Sequence, residues 1–287
     1  MTTTVTQPRR ILAANPSPLT GPGTNTFLIG DQQTAVIDPG PDDPDHIAAI
    51  IRAGQGRISH IFVTHSHLDH SAGAARLARE TGAPVHAFGP ALSGRSPVMQ
   101  HLAASGLIGG GEGMDMSFAP DIRLAHDSIV QTDEWCLRAI HTPGHCGNHL
   151  SFLWNDTLFC GDIVMGWSST LISPPDGDLA DYFRSLDLIL GLSPARLLPA
   201  HGDPIEDPAT RLDELARHRR DRTAQILSTL RSGPATAAEL AARIYDVPPH
   251  LQPAARRNVL AHLVALTSLG AVKAQPELAE TARFHLP

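Results

Sequence analysis

Four imidazole or carboxylate side chains fall within six positions in His65-Ser66-His67-Leu68-Asp69-His70. Neutral imidazole and ionised carboxylate are electron-pair donors that suit zinc, and also iron or manganese. The run follows apolar Ile58–Val63, which reads as a strand, and precedes Ser71-Ala72-Gly73, which opens a helical pattern. Alternation separates His65 and His67 from the adjacent Asp69 and His70, so one strand-to-helix loop can feed two neighbouring metals. The chain holds 16 histidines. Chance clustering is nonetheless a poor account of four donors at one strand end.

Three further donors follow apolar runs in the same way. His145 closes His141-Thr142-Pro143-Gly144-His145, Asp162 closes Phe159-Cys160-Gly161-Asp162, and His201 closes Leu197-Leu198-Pro199-Ala200-His201. Each lies beside glycine, which lets backbone approach a crowded site. Taken singly, each reads as an ordinary loop residue. His149, four positions after His145, fits a role in orienting a ligand or in structure. His86, His101 and His141 lack such a context. Ser169, Thr170 and Ser173 follow Asp162 and could touch substrate, or simply bond within their loop.

Together, His65-x-His67-x-Asp69-His70 followed by His145, Asp162 and His201 resembles the metallo-β-lactamase superfamily over about residues 11–207. The resemblance implies one metal site of His65, His67 and His145 and a second of Asp69, His70 and His201, with Asp162 bridging them. It also implies an αββα sandwich, two mixed sheets with helices outside. Gly23-Thr24-Asn25-Thr26-Phe27-Leu28, Gly161-Asp162-Ile163-Val164-Met165-Gly166 and Asp181-Tyr182-Phe183-Arg184-Ser185-Leu186 resemble one branch, the lactamase-beta-like protein two group. Members of that branch carry a C-terminal winged-helix-like domain, and its animal members are mitochondrial single-strand endoribonucleases. Some relatives fit less well. Many true zinc β-lactamases have cysteine where Asp162 stands, and Cys160, two positions away, is expected to face elsewhere. The single lysine, Lys273, lies beyond the region that binds glutathione in glyoxalase II. The large inserted domain of the RNA 3′-processing nucleases is absent.

The chemistry so implied is that of two metals about 3.5–4 Å apart sharing a hydroxide, with the pKa of water lowered to about 7. Asp69 would both ligate and orient the nucleophile, accepting its proton. The expected function is a dinuclear zinc hydrolase acting on a small ester, thioester, lactone or amide. Three alternatives stand beside it: an endoribonuclease using the same metals on single-stranded RNA, a sulfur dioxygenase with one iron, and a non-enzymatic nucleic-acid-binding regulator.

The elements that must position these residues alternate along the first two hundred positions. Strands are expected at Asn25–Gly30, Gln33–Asp38, Ile58–Thr64, Val85–Ala87, Cys136–His141, Leu150–Trp154, Thr157–Cys160 and Arg196–Pro199. Helices are expected at Pro44–Ala53, Ser71–Thr81 and Leu179–Leu190. Such an order implies layered α/β packing. Gly89–Pro120, with Gly109-Gly110-Gly111, reads either as a mobile lid or as a surface excursion. A long helix over Pro208–Leu230 then leads to Thr236–Tyr245, Pro253–Ser268 and a hairpin within Ala271–Leu286. This is the order of a winged-helix unit, so residues 1–207 are expected as a catalytic domain and 208–287 as a winged-helix-like one.

Charge divides the chain at nearly the same place. Residues 1–210 hold 11 basic and 22 acidic side chains, a net −11, whereas residues 211–287 hold 11 basic and 7 acidic, a net +4. The positive tail, with Arg217, Arg219, Arg220, Arg222, Arg256 and Arg257, could bind phosphate backbones, or it could dock on the catalytic domain or form a homodimer. It carries few aromatic residues on which bases could stack, only Tyr245 and Phe284. No apolar run reaches the length of about 20 that a membrane helix needs. Three widely spaced cysteines, Cys136, Cys146 and Cys160, do not form a disulfide framework, and with no signal-peptide core this predicts a cytoplasmic protein.

Overall fold

A computed structural model describes residues 7–111 and 113–287. Its first sheet runs β1 (Arg9–Leu12), β2 (Asn25–Ile29), β3 (Thr34–Ile37), β4 (Ile58–Phe62), β5 (Val85–Ala87) and β6 (Ile122–Arg123), in spatial as in sequence order. β1, β2 and β3 pair antiparallel, and β3 through β6 pair parallel. The second sheet is built of β7 (Ile129–Gln131), β8 (Cys136–His141), β9 (Leu150–Trp154), β10 (Thr157–Gly161) and β11 (Arg196–Pro199). Its order is β11-β10-β9-β8-β7, antiparallel except for the parallel β10–β11 pair. Both sheets are therefore mixed.

Side-chain alternation assigns the two faces of each sheet. Phe27, Ile29, Ala35, Ile37 and Phe62 of the first sheet meet Leu137, Ala139, Phe152, Phe159 and Leu198 of the second in one core. The intervening residues Leu28, Val36 and Ile61 turn outward against α1 (Pro44–Gly54) and α3 (Ala74–Thr81). Leu158, Cys160 and Leu197 turn outward against α5 (Leu179–Leu192) and the first half of α6 (Pro208–Leu230). With both faces covered, β2, β3 and β10 are buried along their whole length. The result is the expected αββα sandwich.

One expected helix is two. The span over Ser71–Thr81 breaks into α2 (Leu68–Ser71) and α3, with Gly73 between them. A Cβ at Gly73 would lie 2.8 Å from Ile47 Cδ1 and 3.0 Å from the Pro41 carbonyl oxygen. The Gly73 amide donates to Gly40 O at 2.9 Å, so the chain turns where the loop after β3 presses on it.

The C-terminal unit packs α7 (Ala237–Ile244) and α8 (Gln252–Ser268) with a hairpin of β12 (Lys273–Gln275) and β13 (Arg283–His285). A capping box of Thr236 and Glu239 starts α7 after the Ser232-Gly233-Pro234 break. Leu240, Val259, Leu263 and Phe284 form its core together with Ile226 and Leu230, from the second half of α6. That core also takes in Met99 and Leu102 of α4 (Pro97–Ala104). The Gly89–Pro120 segment is therefore pinned to the C-terminal unit through α4, because two fully buried side chains anchor it. Among the described residues, no helix is long and apolar enough to cross a membrane.

Candidate metal centre

The donor residues sit where strands end. His65 and His67 lie in the loop after β4, and Asp69 and His70 lie on the single turn of α2. His145 lies in the β8–β9 connection, Asp162 directly after β10 and His201 two residues after β11. Strand ends from both sheets thus bring five histidines and two aspartates into one place.

Their atoms converge as two sets. His67 Nδ1 lies 2.8 Å from His65 Nε2 and 3.0 Å from His145 Nε2. Asp69 Oδ2 lies 3.2 Å from His201 Nε2 and 3.4 Å from His70 Nε2. Asp162 stands between the sets, with Oδ2 3.6 Å from both His70 Nε2 and His145 Nε2, and Oδ1 3.4 Å from His201 Nε2. Each set offers three ligand atoms lying within 4.8 Å of one another, and so does the linking group His65, His70 and Asp162. All seven residues are buried.

The electrostatics differ between the sets. Burial drives His65 and His67 below the ordinary histidine range, His67 to about 3, and neighbouring imidazoles add to the effect. Burial acts on His70 and His201 as well, but the adjoining carboxylates outweigh it and hold both high, His201 at about 10. Burial would raise Asp69 and Asp162, yet His70 and His201 draw both below the usual carboxylate range. His65, His67 and the two carboxylates are thus in the states that bind a cation, while His70 and His201 would release their protons on binding one.

A cation would satisfy atoms that the protein leaves alone. Both Asp69 oxygens, His70 Nε2 and Asp162 Oδ1 are buried with no hydrogen-bond partner. Such groups are rare in folded proteins and call for a missing partner. The far nitrogens are held by the protein. His65 Nδ1 meets Thr64 Oγ1 at 3.1 Å, His70 Nδ1 meets Asp38 Oδ2 at 3.0 Å, His145 Nδ1 meets Leu171 O at 2.8 Å and His201 Nδ1 meets Gly23 O at 3.2 Å. This fixes ring orientation, as metal-binding histidines require. The residues present fit one or two metal ions.

His149 points its Nε2 at the backbone amide of Asp162, 3.1 Å away, and its Nδ1 at Thr142 Oγ1, 3.0 Å away. Ser169 lines the cleft above the cluster, as do Trp167, Leu171 and Gly111. Thr170 does not line it: its hydroxyl donates to Asp162 O at 2.8 Å and the side chain is fully buried. Cys160 turns away, its thiol directed to Val164 O. Asp38 is a further contributor that the motifs did not single out. Its carboxylate accepts the Thr64 amide at 2.7 Å and the Thr64 hydroxyl at 2.8 Å while facing His70. The signal was present, since Asp38-Pro39-Gly40 is a carboxylate beside glycine at the end of an apolar strand, as at Asp162.

Comparison with known proteins agrees with this geometry. Residues 19–201 match the family model of the metallo-beta-lactamase superfamily, and residues 236–280 match that of the beta-lactamase associated winged helix domain. The chain is 30% identical to the beta-lactamase-like protein 2 homolog of Drosophila melanogaster, across 97% of this chain and 94% of that one. It is 28% identical to the atrochrysone carboxyl ACP thioesterase of Passalora fulva, across 82% of this chain and 67% of that one. A metallo-beta-lactamase family protein from Thermus thermophilus shares the fold, with a TM-score of 0.77 over 98% of each chain at 22% identity.

Proposed function

Since the chain belongs to the metallo-β-lactamase superfamily of metal-dependent hydrolases, we propose that it is a dinuclear zinc enzyme cleaving a small ester, thioester, lactone or amide. His65, His67 and His145 would hold one ion and Asp69, His70 and His201 the other, with Asp162 placed to serve both. The observation that carries this reading is the convergence of seven buried donor residues, with both Asp69 oxygens, His70 Nε2 and Asp162 Oδ1 lacking a hydrogen-bond partner. Two such ions supply, when bound, an activated water and a Lewis acid for the substrate oxygen.

The protein's own groups then divide the work. Asp69 lines the cleft, and its Oδ1 faces no donor of the protein, so it orients the attacking water and accepts the proton. Asp38 keeps His70 in place through Nδ1. His149 and Thr170 hold Asp162 by its amide and carbonyl, and so aim its carboxylate. Ser169 and Trp167 face the substrate. Within the substrate group, the thioester is favoured by the relative named as an ACP thioesterase. We assign residues 1–207 to the catalytic unit and 208–287 to a winged-helix-like unit, with α6 serving both cores.

The test is metal analysis of protein purified without added metal, followed by assay on an acyl thioester, a lactone, nitrocefin and single-stranded RNA. Two zinc equivalents per chain and turnover of a small acyl substrate are expected. One iron and no zinc would move the function to a dioxygenase. Zinc with cleavage of RNA alone would replace this reading by the nuclease.

A further inference from the structure

The cleft above the donor cluster has walls that the C-terminal helices hold in place. One wall is the segment after Asp162, where Met165, Trp167, Ser168, Ser169 and Leu171 face the cleft. Its backbone is bonded by side chains of α6 and α8. Arg211 Nε donates to Met165 O and its Nη2 to Ser168 O, both at 2.8 Å. Arg219 donates to Thr170 O, and the Ile172 amide donates to Asn258 Oδ1 at 3.4 Å. Gly111, on the chain that leaves α4, lines the same cleft beside Leu171, where a Cβ would lie 4.0 Å from Leu171 Cδ2.

Arg257 of α8 joins these two segments. Its Nη1 donates to Ile108 O at 2.8 Å and to Ser173 Oγ at 3.1 Å. Ser173 Oγ in turn accepts the Gly110 amide at 3.0 Å. The fit is close. A Cβ on Gly110 would come within 2.6 Å of Arg257 Nε, although nothing in the Gly110 backbone conformation itself demands glycine. Glycine is therefore needed at 110 because Arg257 is there.

We propose that Arg257 is a positioning residue that ties two adjoining segments of the cleft lining, 108–111 and the one after Asp162, to the C-terminal unit, so that this unit sets the shape of the cleft there. Its effect on catalysis rests on the hydrolase reading above; its effect on the walls does not. A guanidinium serves because one nitrogen can donate to two acceptors while the planar group stays fixed by its neighbours. Releasing it frees Ile108–Gly111 without touching any donor of the cluster.

The experiment compares wild type, Arg257→Ala, Gly110→Ala and the double variant by hydrogen–deuterium exchange, with metal content and steady-state kinetics on p-nitrophenyl acetate and p-nitrophenyl octanoate. Arg257→Ala should raise exchange in peptides covering residues 105–111 about tenfold, a typical loss of local protection. Exchange in the β4–α2 loop and metal content should stay at wild-type values. The ratio of KM for octanoate to that for acetate should fall about fivefold, with kcat altered less than about twofold. Gly110→Ala should reproduce the exchange effect, and adding it to Arg257→Ala should add nothing, because the clash partner is gone. Wild-type exchange in the Arg257→Ala loop, or a Gly110→Ala effect of equal size in both backgrounds, would overturn the proposal. If wild type hydrolyses neither ester, the hydrolase reading loses support while the exchange data still decide the role of Arg257.

Discussion

The donor cluster and the joint between α6 and α8 both bury ionisable side chains, and they treat them in opposite ways. Around Asp162, unpartnered atoms of Asp69, His70 and Asp162 face one another. In the joint, Arg219 is 1% exposed, yet its guanidinium donates to Thr170 O and Asn258 Oδ1 and lies 5.6 Å from the Tyr182 ring centre. His262 is equally buried and meets Thr223 Oγ1 at 2.9 Å. Arg219 Nε and His262 Nε2 lack partners too, but no metal-type grouping forms around them among the described residues. Burial of charge is common to both regions. What marks the donor cluster is convergence of unpartnered donor atoms, which a bound cation would satisfy.

The difference can be broken most forcefully at Asp69. In the proposed mechanism Asp69→Asn would impair a metal ligand and remove the proton acceptor together, so kcat should fall by about 10²–10⁴. Turnover of the acyl substrate and metal content check this; near wild-type kcat with two metal equivalents would take Asp69 out of the chemistry. A smaller effect is expected at Asp38, which touches only His70 among the donors. Asp38→Asn should weaken one metal site by roughly 10–100-fold and spare the other. Competition with a chelator would show two affinities moving apart, whereas equal weakening at both sites would erase the asymmetry between the two sets.

Four of the seven donors were legible in the sequence from local spacing: His65, His67, Asp69 and His70 fall within six positions after a strand that reads plainly as apolar. His145, Asp162 and His201, spread along the chain, joined them only through the family resemblance. The pairing of strands was not legible, since β1, β6 and β7 are short and lie at or next to sheet edges, where half-exposed residues blur the alternation. The break at Gly73 was hidden because it answers to the distant loop at Gly40. The arginines of the tail were legible as charge but not as partners. Arg222 lies 3.9 Å over the Tyr245 ring, Arg220 lies 5.7 Å over Phe183 and Arg217 pairs with Asp213. A run of positive charge looks the same in sequence whether it faces solvent or the neighbouring domain.

The joint should respond in stability rather than in metal binding. Arg219→Leu leaves the Thr170 carbonyl and Asn258 Oδ1 short of a buried donor, which costs on the order of 2 kcal/mol. Arg219→Lys should recover little, because an ammonium cannot reproduce the planar fork. Urea unfolding of metal-loaded protein measures both. Loss of a metal equivalent without loss of stability would place the joint inside the reactive region and end the contrast.

The smallest expected effect is the acid response of His262. Burial lowers its pKa to about 3, with the positive charges of Arg219 and Arg222 adding to the shift. In the unfolded chain the ring titrates near the ordinary value of about 6.5. The folded value is the lower one, so the stability contributed by the neutral ring is complete above about 6.5 and is lost as pH falls from there toward about 3. In that window the unfolded chain takes up a proton that the folded one refuses. His262→Gln keeps a polar side chain beside Thr223 and removes the titration. Its stability relative to wild type should therefore improve by about 1 kcal/mol between pH 7 and pH 5.5. His86, lowered to about 4 by burial and by His60, is present in both proteins and cancels in the difference. Urea midpoints at the two pH values decide the matter: parallel behaviour of the two proteins would mean that the buried ring of the joint does not govern its acid sensitivity.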